Sequence, residues 1–291
     1  MADSDQQPVP RAPRAGRDLP AAIGVGLALF IYVVITLTWW PVGCIVLLVV
    51  LTSLGAYEVH SALKRVGMRS AIIPVILGNV FIIGGSYAAA VLQPVTKLPW
   101  HVVLLGTIGG TVLLALVWRM FGGAENYVRD SAASVFIIGY VPLLASFVGL
   151  ILAEEHGVAK TVAVFVCIVA SDVGGYAAGA SLGRHPMAPN ISPKKTWEGM
   201  AGSVVLASAL GIGLGIGVLH QPWWFGLILA VVVVLAGTAG DLIESLIKRD
   251  VGIKDMSSIL PGHGGVMDRL DSTLVAAPAA WLVFVLSGVS W

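Results

Sequence analysis

The chain of 291 residues is 57% hydrophobic and only 11% charged, with a formal net charge of +1 at pH 7. Soluble proteins average about 25% charged residues, so this composition excludes water-soluble fold classes and predicts an all-α polytopic integral membrane protein. The near-neutral charge gives no indication of nucleic-acid binding, and none is expected. Cys44 and Cys167 lie far apart in apolar runs and predict neither a disulfide framework nor a zinc site.

Apolar runs long enough to cross a bilayer recur along the whole chain after a polar, proline-rich tail at 1–18, which we predict to be disordered. We predict nine spans, at residues 19–38, 41–60, 71–92, 100–120, 132–153, 159–181, 199–219, 223–247 and 270–290. The first four carry few polar residues, so we expect them to form a scaffold or a lipid-facing wall.

The basic residues divide very unevenly between the two sets of loops. With the tail in the cytoplasm, the outer loops hold only Lys97 and Lys160 of the 17 lysine and arginine residues. Cytoplasmic loops of membrane proteins are enriched in these residues. The distribution therefore supports nine spans, with the N-terminus in the cytoplasm and the C-terminus outside.

A polar face interrupts the sixth apolar run. A carboxylate at bilayer depth costs about 2.5–3.5 kcal/mol on insertion scales, so Asp172 should face a cavity or a partner. Tyr176 and Gly179 follow at i+4 and i+7, on the same helical face. We predict a polar cavity here; the alternative is an aspartate that is hydrogen-bonded for packing alone.

The seventh apolar run begins at a basic string, SPKKTWEG at 192–199. Ser192 or Thr196 can cap a helix at this point. Lys194 and Lys195 at a helix start would present positive charge to a polyphosphate. The alternative is an ordinary basic loop that only obeys the positive-inside rule.

Further along the same run, alternate glycines form small-xxx-small pairs, which predict close helix packing and permit a homodimer: Gly211, Gly213, Gly215 and Gly217.

The most charged stretch of the chain precedes the last apolar run. If Asp241 lies in a helix, Glu244 and Lys248 share its face, and Asp268 and Asp271 likewise share a face. Carboxylates from two helices can converge on a hard cation. Four basic residues of this stretch suit phosphate oxygens: Lys248, Arg249, Lys254 and Arg269. Three glycines let backbone N–H groups approach an anion: Gly262, Gly264 and Gly265.

Carboxylates, basic side chains and a glycine-rich turn together indicate phosphoryl or nucleotidyl transfer. The alternative is a charged loop between two membrane helices. The strings SLIKR, KD, PGHGG and DRLD, in this order and spacing between 245 and 271, resemble the signature of phosphatidate cytidylyltransferases (CDP-diacylglycerol synthases). SPKKTWEG resembles the second recurring motif of that family. The resemblance covers about 165–275, whereas 1–150 match only in hydropathy, and the segment at 182–186 departs from the family pattern.

The resemblance implies that CTP and phosphatidic acid from the bilayer react to CDP-diacylglycerol and pyrophosphate with Mg²⁺, and allows a second cation. As a hypothesis from the residues themselves, the catalytic residues are Asp241, Asp268, Asp271, Lys248 and His263, of which the three aspartates would also hold the metal. The same hypothesis gives a set of substrate-binding residues: Ser192, Lys194, Lys195, Thr196, Glu198, Asp172, Arg249, Lys254, Gly264, Gly265 and Arg269.

We therefore predict three parts of the chain: a cytoplasmic tail at 1–18, an N-terminal transmembrane scaffold at 19–153 and a C-terminal catalytic transmembrane region at 159–291. We expect a bacterial plasma membrane location, with the active site facing the cytoplasm. Three alternatives stay open at this point. They are another Mg²⁺-dependent lipid phosphotransferase, a transporter of a phosphorylated anion, and a non-catalytic scaffold.

Overall fold

The structure is a computed structural model that describes residues 19–257, 259 and 264–287. Most of these residues are helical. The predicted disordered tail lies outside the described residues. The helices are α1 (Leu19–Trp39), α2 (Pro41–Arg65), α3 (Ile72–Asn79), α4 (Ser86–Thr96), α5 (Trp100–Met120), α6 (Tyr127–Tyr140), α7 (Pro142–Ala153), α8 (Gly157–Leu182), α9 (Trp197–Gly217), α10 (Trp223–Asp250) and α11 (Met267–Leu286). A π-helical turn at Val80–Gly85 joins α3 to α4, and strands β1 (Pro186–Ala188) and β2 (Ser192–Thr196) form an antiparallel hairpin before α9.

Eight stretches of the described chain are long and apolar enough to cross a membrane. They are α2, α3 with α4, α5, α6 with α7, and each of α8 to α11, and they correspond to the second to ninth predicted spans. This confirms an all-α polytopic membrane protein. The first predicted span falls on α1, of which Gly26–Trp39 is a shorter apolar segment. The count of nine and the orientation stay predictions.

Two predicted spans are broken rather than continuous. Helix α6 ends at Tyr140, and α7 begins at Pro142, which has no backbone N–H to continue the helix. Between α3 and α4, the π-helical turn changes the direction of the side chains within one apolar run. Hydropathy shows the length of such a span but carries no sign of the break.

Helix α11 joins the two halves of the molecule. The buried core of the N-terminal half includes Met267 and Leu274 of α11, whereas the core between α8, α9 and α10 includes Ala280 and Phe284 of the same helix. Because α11 packs in both cores, the position of its first turn depends on the N-terminal helices as well as on α10.

The glycines of α9 serve packing within the chain. A Cβ atom added at Gly211 would lie 2.7 Å from the carbonyl oxygen of Gly226 in α10, and one at Gly215 would lie 3.1 Å from the Gly226 Cα. Close helix packing is therefore confirmed for these two positions. No described atom lies within 4 Å of a Cβ added at Gly213 or Gly217.

Candidate active site

A cavity of about 220 Å³ lies between α8, α9, α10, the start of α11 and the hairpin. Asp172 and Tyr176 are both exposed on α8, so the polar groups of this helix form the cavity mouth. The predicted cavity around Asp172 is therefore present. The polar and charged side chains that line it are Ser171, Asp172, Tyr176, Lys194, Lys195, Thr196, Ser203, Thr238, Asp241 and Ser272.

Small residues on α8 bring the start of α9 close to the cavity. A Cβ atom at Gly174 would lie 2.4 Å from the carbonyl oxygen of Gly202, so the two helices touch through their backbones. One turn further, Gly179 leaves room for Thr196, whose Oγ1 lies 3.5 Å from the Cβ position of that glycine. The predicted small face of α8 thus makes the space that the hairpin occupies.

The hairpin presents the lysines from a strand instead of a helix start. Ser192 to Thr196 form β2, and Thr196 is the residue that caps α9, since its Oγ1 accepts a hydrogen bond of 3.1 Å from Gly199 N. Lys194 and Lys195 line the cavity, and Lys195 forms an ion pair with Asp241 of α10. Ser192 lies in β2 but is not among the cavity-lining residues of the described chain.

Glu198 fastens the chain on both sides of the hairpin. Its Oε2 accepts hydrogen bonds from the backbone N–H groups of Arg184 (3.1 Å) and His185 (3.2 Å), and its Oε1 lies 2.5 Å from His185 Nδ1. This carboxylate orders the loop before β1, the segment that departs from the family pattern. Its side chain points to that loop and does not line the cavity.

Asp241 and Asp271, which we call the acid pair, meet where α10 and α11 cross. A Cβ atom at Gly240 would lie 2.3 Å from the Asp271 carbonyl oxygen, so only glycine permits this approach. The carboxyl groups of the pair lie close enough to interact electrostatically. Ser272 Oγ donates to Asp241 Oδ1 over 2.5 Å. Asp241 lines the cavity. Asp271 lies next to Asp241 but is not among the cavity-lining residues.

Asp268 forms its contacts with Lys248 and with backbone N–H groups near the first turn of α11. Its Oδ1 lies 2.7 Å from Lys248 Nζ, and the same ammonium group pairs with Glu244. Its Oδ2 accepts hydrogen bonds from the backbone N–H groups of Gly265 (2.9 Å) and Met256 (3.3 Å). Asp268 and Lys248 therefore form a network at the first turn of α11, and none of the hydrogen bonds described in this part of the chain joins Asp268 to Asp241 or Asp271.

The remaining predicted residues surround this network. Arg249 is exposed, and its Nε donates to the carbonyl oxygen of Ile191 in the hairpin turn over 3.5 Å. Lys254 is exposed in the loop after α10, and Arg269 is exposed on the first turn of α11, within electrostatic range of Asp172. Gly264 (φ +86°) and Gly265 lie against Asp268. Gly262 and His263 lie outside the described residues.

Sequence reasoning missed Glu58 and Ser272. Glu58 of α2 is 1% exposed, and its carboxylate accepts hydrogen bonds from the backbone N–H groups of Val266 (2.9 Å) and Met267 (2.7 Å). Helix α2 thus contacts the charged stretch, a contact that the prediction of a scaffold or lipid-facing wall for the first four spans did not include. A signal was present, since a glutamate inside an apolar run needs a partner just as Asp172 does.

Oxygen atoms at the acid pair fit a hard cation. Two carboxylates side by side in a half-buried place repel each other unless a positive charge lies between them. The hydroxyl of Ser272 is adjacent, and the buried Oε1 of Glu244 has no hydrogen-bond partner within the described chain. Oxygen ligands of this kind suit Mg²⁺. Among the described residues, however, no group of three or more histidine, cysteine, aspartate or glutamate side chains is arranged to hold a metal ion.

Comparison with known proteins gives consistent matches along almost the full chain. A model of the cytidylyltransferase family matches residues 20–287. The phosphatidate cytidylyltransferase of Mycobacterium bovis is 39% identical over 297 residues, which cover 97% of this chain and 93% of the relative. The Mycobacterium leprae enzyme of the same name is 38% identical, covering 97% and 92%. That of Helicobacter pylori is 35% identical, covering 69% and 78%. The similarity thus extends well beyond residues 165–275.

Proposed function

The chain belongs to the cytidylyltransferase family, and on this premise we propose that it transfers the cytidylyl group of CTP to phosphatidic acid. The products are CDP-diacylglycerol and pyrophosphate. The protein is thus a nucleotidyltransferase of phospholipid biosynthesis, and its cavity between α8, α9 and α10 is the active site.

One observation carries this proposal: the cavity brings two lysines of the hairpin face to face with a carboxylate of α10. Lys194 and Lys195 supply positive charge for the polyphosphate of a nucleotide. Asp241, with Asp271 behind it, supplies negative charge for a cation that accompanies such a nucleotide. Phosphoryl and nucleotidyl transfer depend mainly on positioning and charge neutralisation, which this arrangement provides.

In the reaction, a phosphate oxygen of phosphatidic acid attacks the α-phosphorus of CTP. The bond from the α-phosphorus to the oxygen that bridges it to the β-phosphorus breaks, and pyrophosphate leaves. Both reactants are anions, so Lys194 and Lys195 would hold the nucleotide and reduce the repulsion. A phosphate monoester is already largely ionised near neutral pH and needs no general base. We therefore give His263 a positioning role, which stays a prediction.

The acid pair would hold magnesium. When bound there, Mg²⁺ would supply positive charge that offsets the charge developing on the leaving pyrophosphate. Asp241 can take this role once its ion pair with Lys195 opens, and Asp271 lies next to it. The carboxylate of Asp268 already accepts from Lys248 and two backbone N–H groups. A metal-ligand role for Asp268, and a second cation, stay predictions.

The lipid substrate would enter the cavity laterally, from the bilayer. Asp172 and Tyr176 are exposed at mid-helix positions of α8, so the mouth lies at the side of a candidate span rather than only at its end. The acyl chains can then stay in the bilayer while the phosphate reaches the lysines. Of the predicted substrate-binding set, the structure favours the residues that line the cavity: Asp172, Lys194, Lys195 and Thr196.

The membrane topology that fits this function has nine spans, with the N-terminus and the active site facing the cytoplasm, where CTP is found. The eight candidate spans of the structure and the apolar α1 support this count. The uneven distribution of lysine and arginine supports the orientation, and the relatives support a bacterial plasma membrane. Residues 19–153 would serve as scaffold and 159–291 as the catalytic region. A homodimer stays a prediction.

The test is a transfer assay with purified protein in detergent. CTP labelled in the cytosine ring is incubated with phosphatidic acid and Mg²⁺, and label is measured in the lipid phase. We expect label that requires phosphatidic acid, Mg²⁺ and Asp271. A folded wild-type protein that transfers no label would contradict the proposal.

A further inference from the structure

Glu58 ties the N-terminal half of the molecule to the start of α11. The residue lies on α2, near the end of that helix, and is 1% exposed. Its Oε1 accepts from Val266 N over 2.9 Å and its Oε2 from Met267 N over 2.7 Å. The hydroxyl of Ser257 donates to Oε1 as well. A buried carboxylate is stable only with such donors, and three are present.

The start of α11 needs an acceptor from outside the helix. Val266 occupies the N-cap position and has no side-chain oxygen to offer to the first backbone N–H groups of the helix. Glu58 supplies both the acceptor atoms and a negative charge at the positive end of the helix dipole. The cap of α11 therefore comes from a helix about 200 residues earlier in the chain.

Two carboxylates contact the same turn: Glu58 of α2, and Asp268, which belongs to α11 and pairs with Lys248 of α10. A Cβ atom at Gly265 would lie 2.9 Å from Glu58 Oε2 and 2.8 Å from Asp268 Oδ2, so there is no room for a side chain at this position. A shift of the turn away from α2 would break the hydrogen bonds to Glu58, and a shift away from α10 would break the ion pair between Asp268 and Lys248. The first turn of α11 is thus fixed by α2 and α10 together.

We propose that Glu58 is a positioning residue for cytidylyl transfer: it sets the start of α11 and thereby the place where Asp271 and Ser272 meet Asp241. The inference rests on the proposed function. Glu58 does not line the cavity and touches no substrate; it acts through the backbone. Asp271 follows Met267 by one helical turn, so a shift at the first turn carries directly to the acid pair. The hairpin lysines lie on other elements and keep their places.

The test compares Glu58→Gln with a matched control, Asp130→Asn. Asp130 is also a carboxylate in the N-terminal half with 1% exposure, and it accepts from Arg119 and from the backbone N–H of Arg69. It ties α6 to its neighbours and has no described hydrogen bond to α11. Both substitutions remove one buried charge and keep the size of the side chain.

Per folded molecule, Glu58→Gln should lower kcat about tenfold to hundredfold, as expected for a misplacement near 1 Å, with the KM for CTP nearly unchanged. Hydrogen exchange at 264–271 should become about tenfold faster, because two backbone donors lose a charged acceptor. Asp130→Asn should change neither quantity. Ser257→Ala removes one donor and leaves the carboxylate capped; it should lower kcat about threefold in a folded protein.

Three results would overturn the inference. One is a wild-type kcat in folded Glu58→Gln. Another is a loss of activity in Glu58→Gln that is fully explained by a smaller folded fraction, with the same kcat per folded molecule as Asp130→Asn. The third, if Glu58→Gln does not fold, is a wild-type kcat in Ser257→Ala. Absence of transfer by wild type would instead contradict the proposed function, and hydrogen exchange at 264–271 would still test whether Glu58 holds the turn.

Discussion

Charged side chains serve two neighbouring regions differently: the cavity wall, made of Lys195, Asp241 and Ser272, and the base of α11, made of Glu58, Asp268 and their partners. The paired side chains of Lys195 and Asp241 are 27% and 29% exposed. Those of Lys248 and Asp268 at the base are 15% and 14% exposed. The wall pair faces open space, whereas the base pair is largely covered by backbone.

This difference separates groups that can bind from groups that hold the structure. A partly exposed ion pair contributes about 0–1 kcal/mol, so a nucleotide and its cation can separate Lys195 from Asp241 at little cost. At the base, Asp268 also accepts from two backbone N–H groups, and Glu58 accepts from two more. Removal of either carboxylate would leave buried backbone N–H groups without an acceptor. The side chains of the cavity wall can therefore exchange their partners for ligands, whereas the base of α11 holds the helix that carries part of this wall.

The largest effect should come from Asp271→Asn, which removes one carboxylate of the acid pair. We expect kcat to fall by about a thousandfold, because charge on the leaving pyrophosphate is no longer neutralised, while the melting temperature in detergent stays close to wild type. Transfer assays and thermal unfolding measure both. Asp250→Asn, at an exposed carboxylate at the end of α10, serves as control and should behave as wild type. Full activity in Asp271→Asn would refute the metal site.

Asp268→Asn tests whether the base differs from the wall. We expect kcat to fall about a hundredfold because α11 shifts, and the free energy of unfolding to fall by about 1–3 kcal/mol because Lys248 and two backbone donors lose their acceptor. Kinetics and chemical denaturation give the two numbers. If activity is lost at full stability, Asp268 belongs with the acid pair and ligates the metal.

Lys195→Ala should act on nucleotide binding. Loss of a charged contact to phosphate is expected to raise the KM for CTP about tenfold, and initial rates at varied CTP measure it. Lys64→Ala is the matched control, since Lys64 is exposed at the end of α2 and outside the cavity. An unchanged KM in Lys195→Ala, or an equal rise in both variants, would contradict the role of the wall.

Asp172→Ala should have the smallest effect. Asp172 faces the cavity mouth, so we expect turnover to fall about fivefold, which corresponds to about 1 kcal/mol, with little change in the melting temperature. A variant that unfolds and keeps its activity per folded molecule would show that Asp172 serves packing alone.

Much of the wall could be predicted from the sequence. Asp172 and Tyr176 share a helical face at i+4, and Lys194 and Lys195 stand together in a short string, so local spacing was enough to group them. The approach of Asp271 to Asp241 also followed from two helices with carboxylates at related positions. The roles of these residues in binding and catalysis stay predictions.

The base could not be predicted, because its contacts join distant parts of the chain. Glu58 meets Val266 after more than 200 residues, and no periodicity in either segment indicates the other. Asp268 and Asp271 look equivalent in sequence, but Asp268 contacts Lys248 and the backbone of Gly265 and Met256, whereas Asp271 accepts from the backbone N–H of Ser272. The sequence predicts a helix cap at Ser192 or Thr196, and Thr196 is the cap, but it carries no sign that 192–196 form a strand.

The central claim is that the cavity transfers the cytidylyl group and releases pyrophosphate. It is tested most directly with CTP carrying ³²P at either the α- or the γ-phosphate, in the presence of phosphatidic acid and Mg²⁺. We predict that the α-label enters the lipid phase and that the γ-label stays in water as pyrophosphate. Label from the γ-position in the lipid, or none from the α-position, would contradict this account.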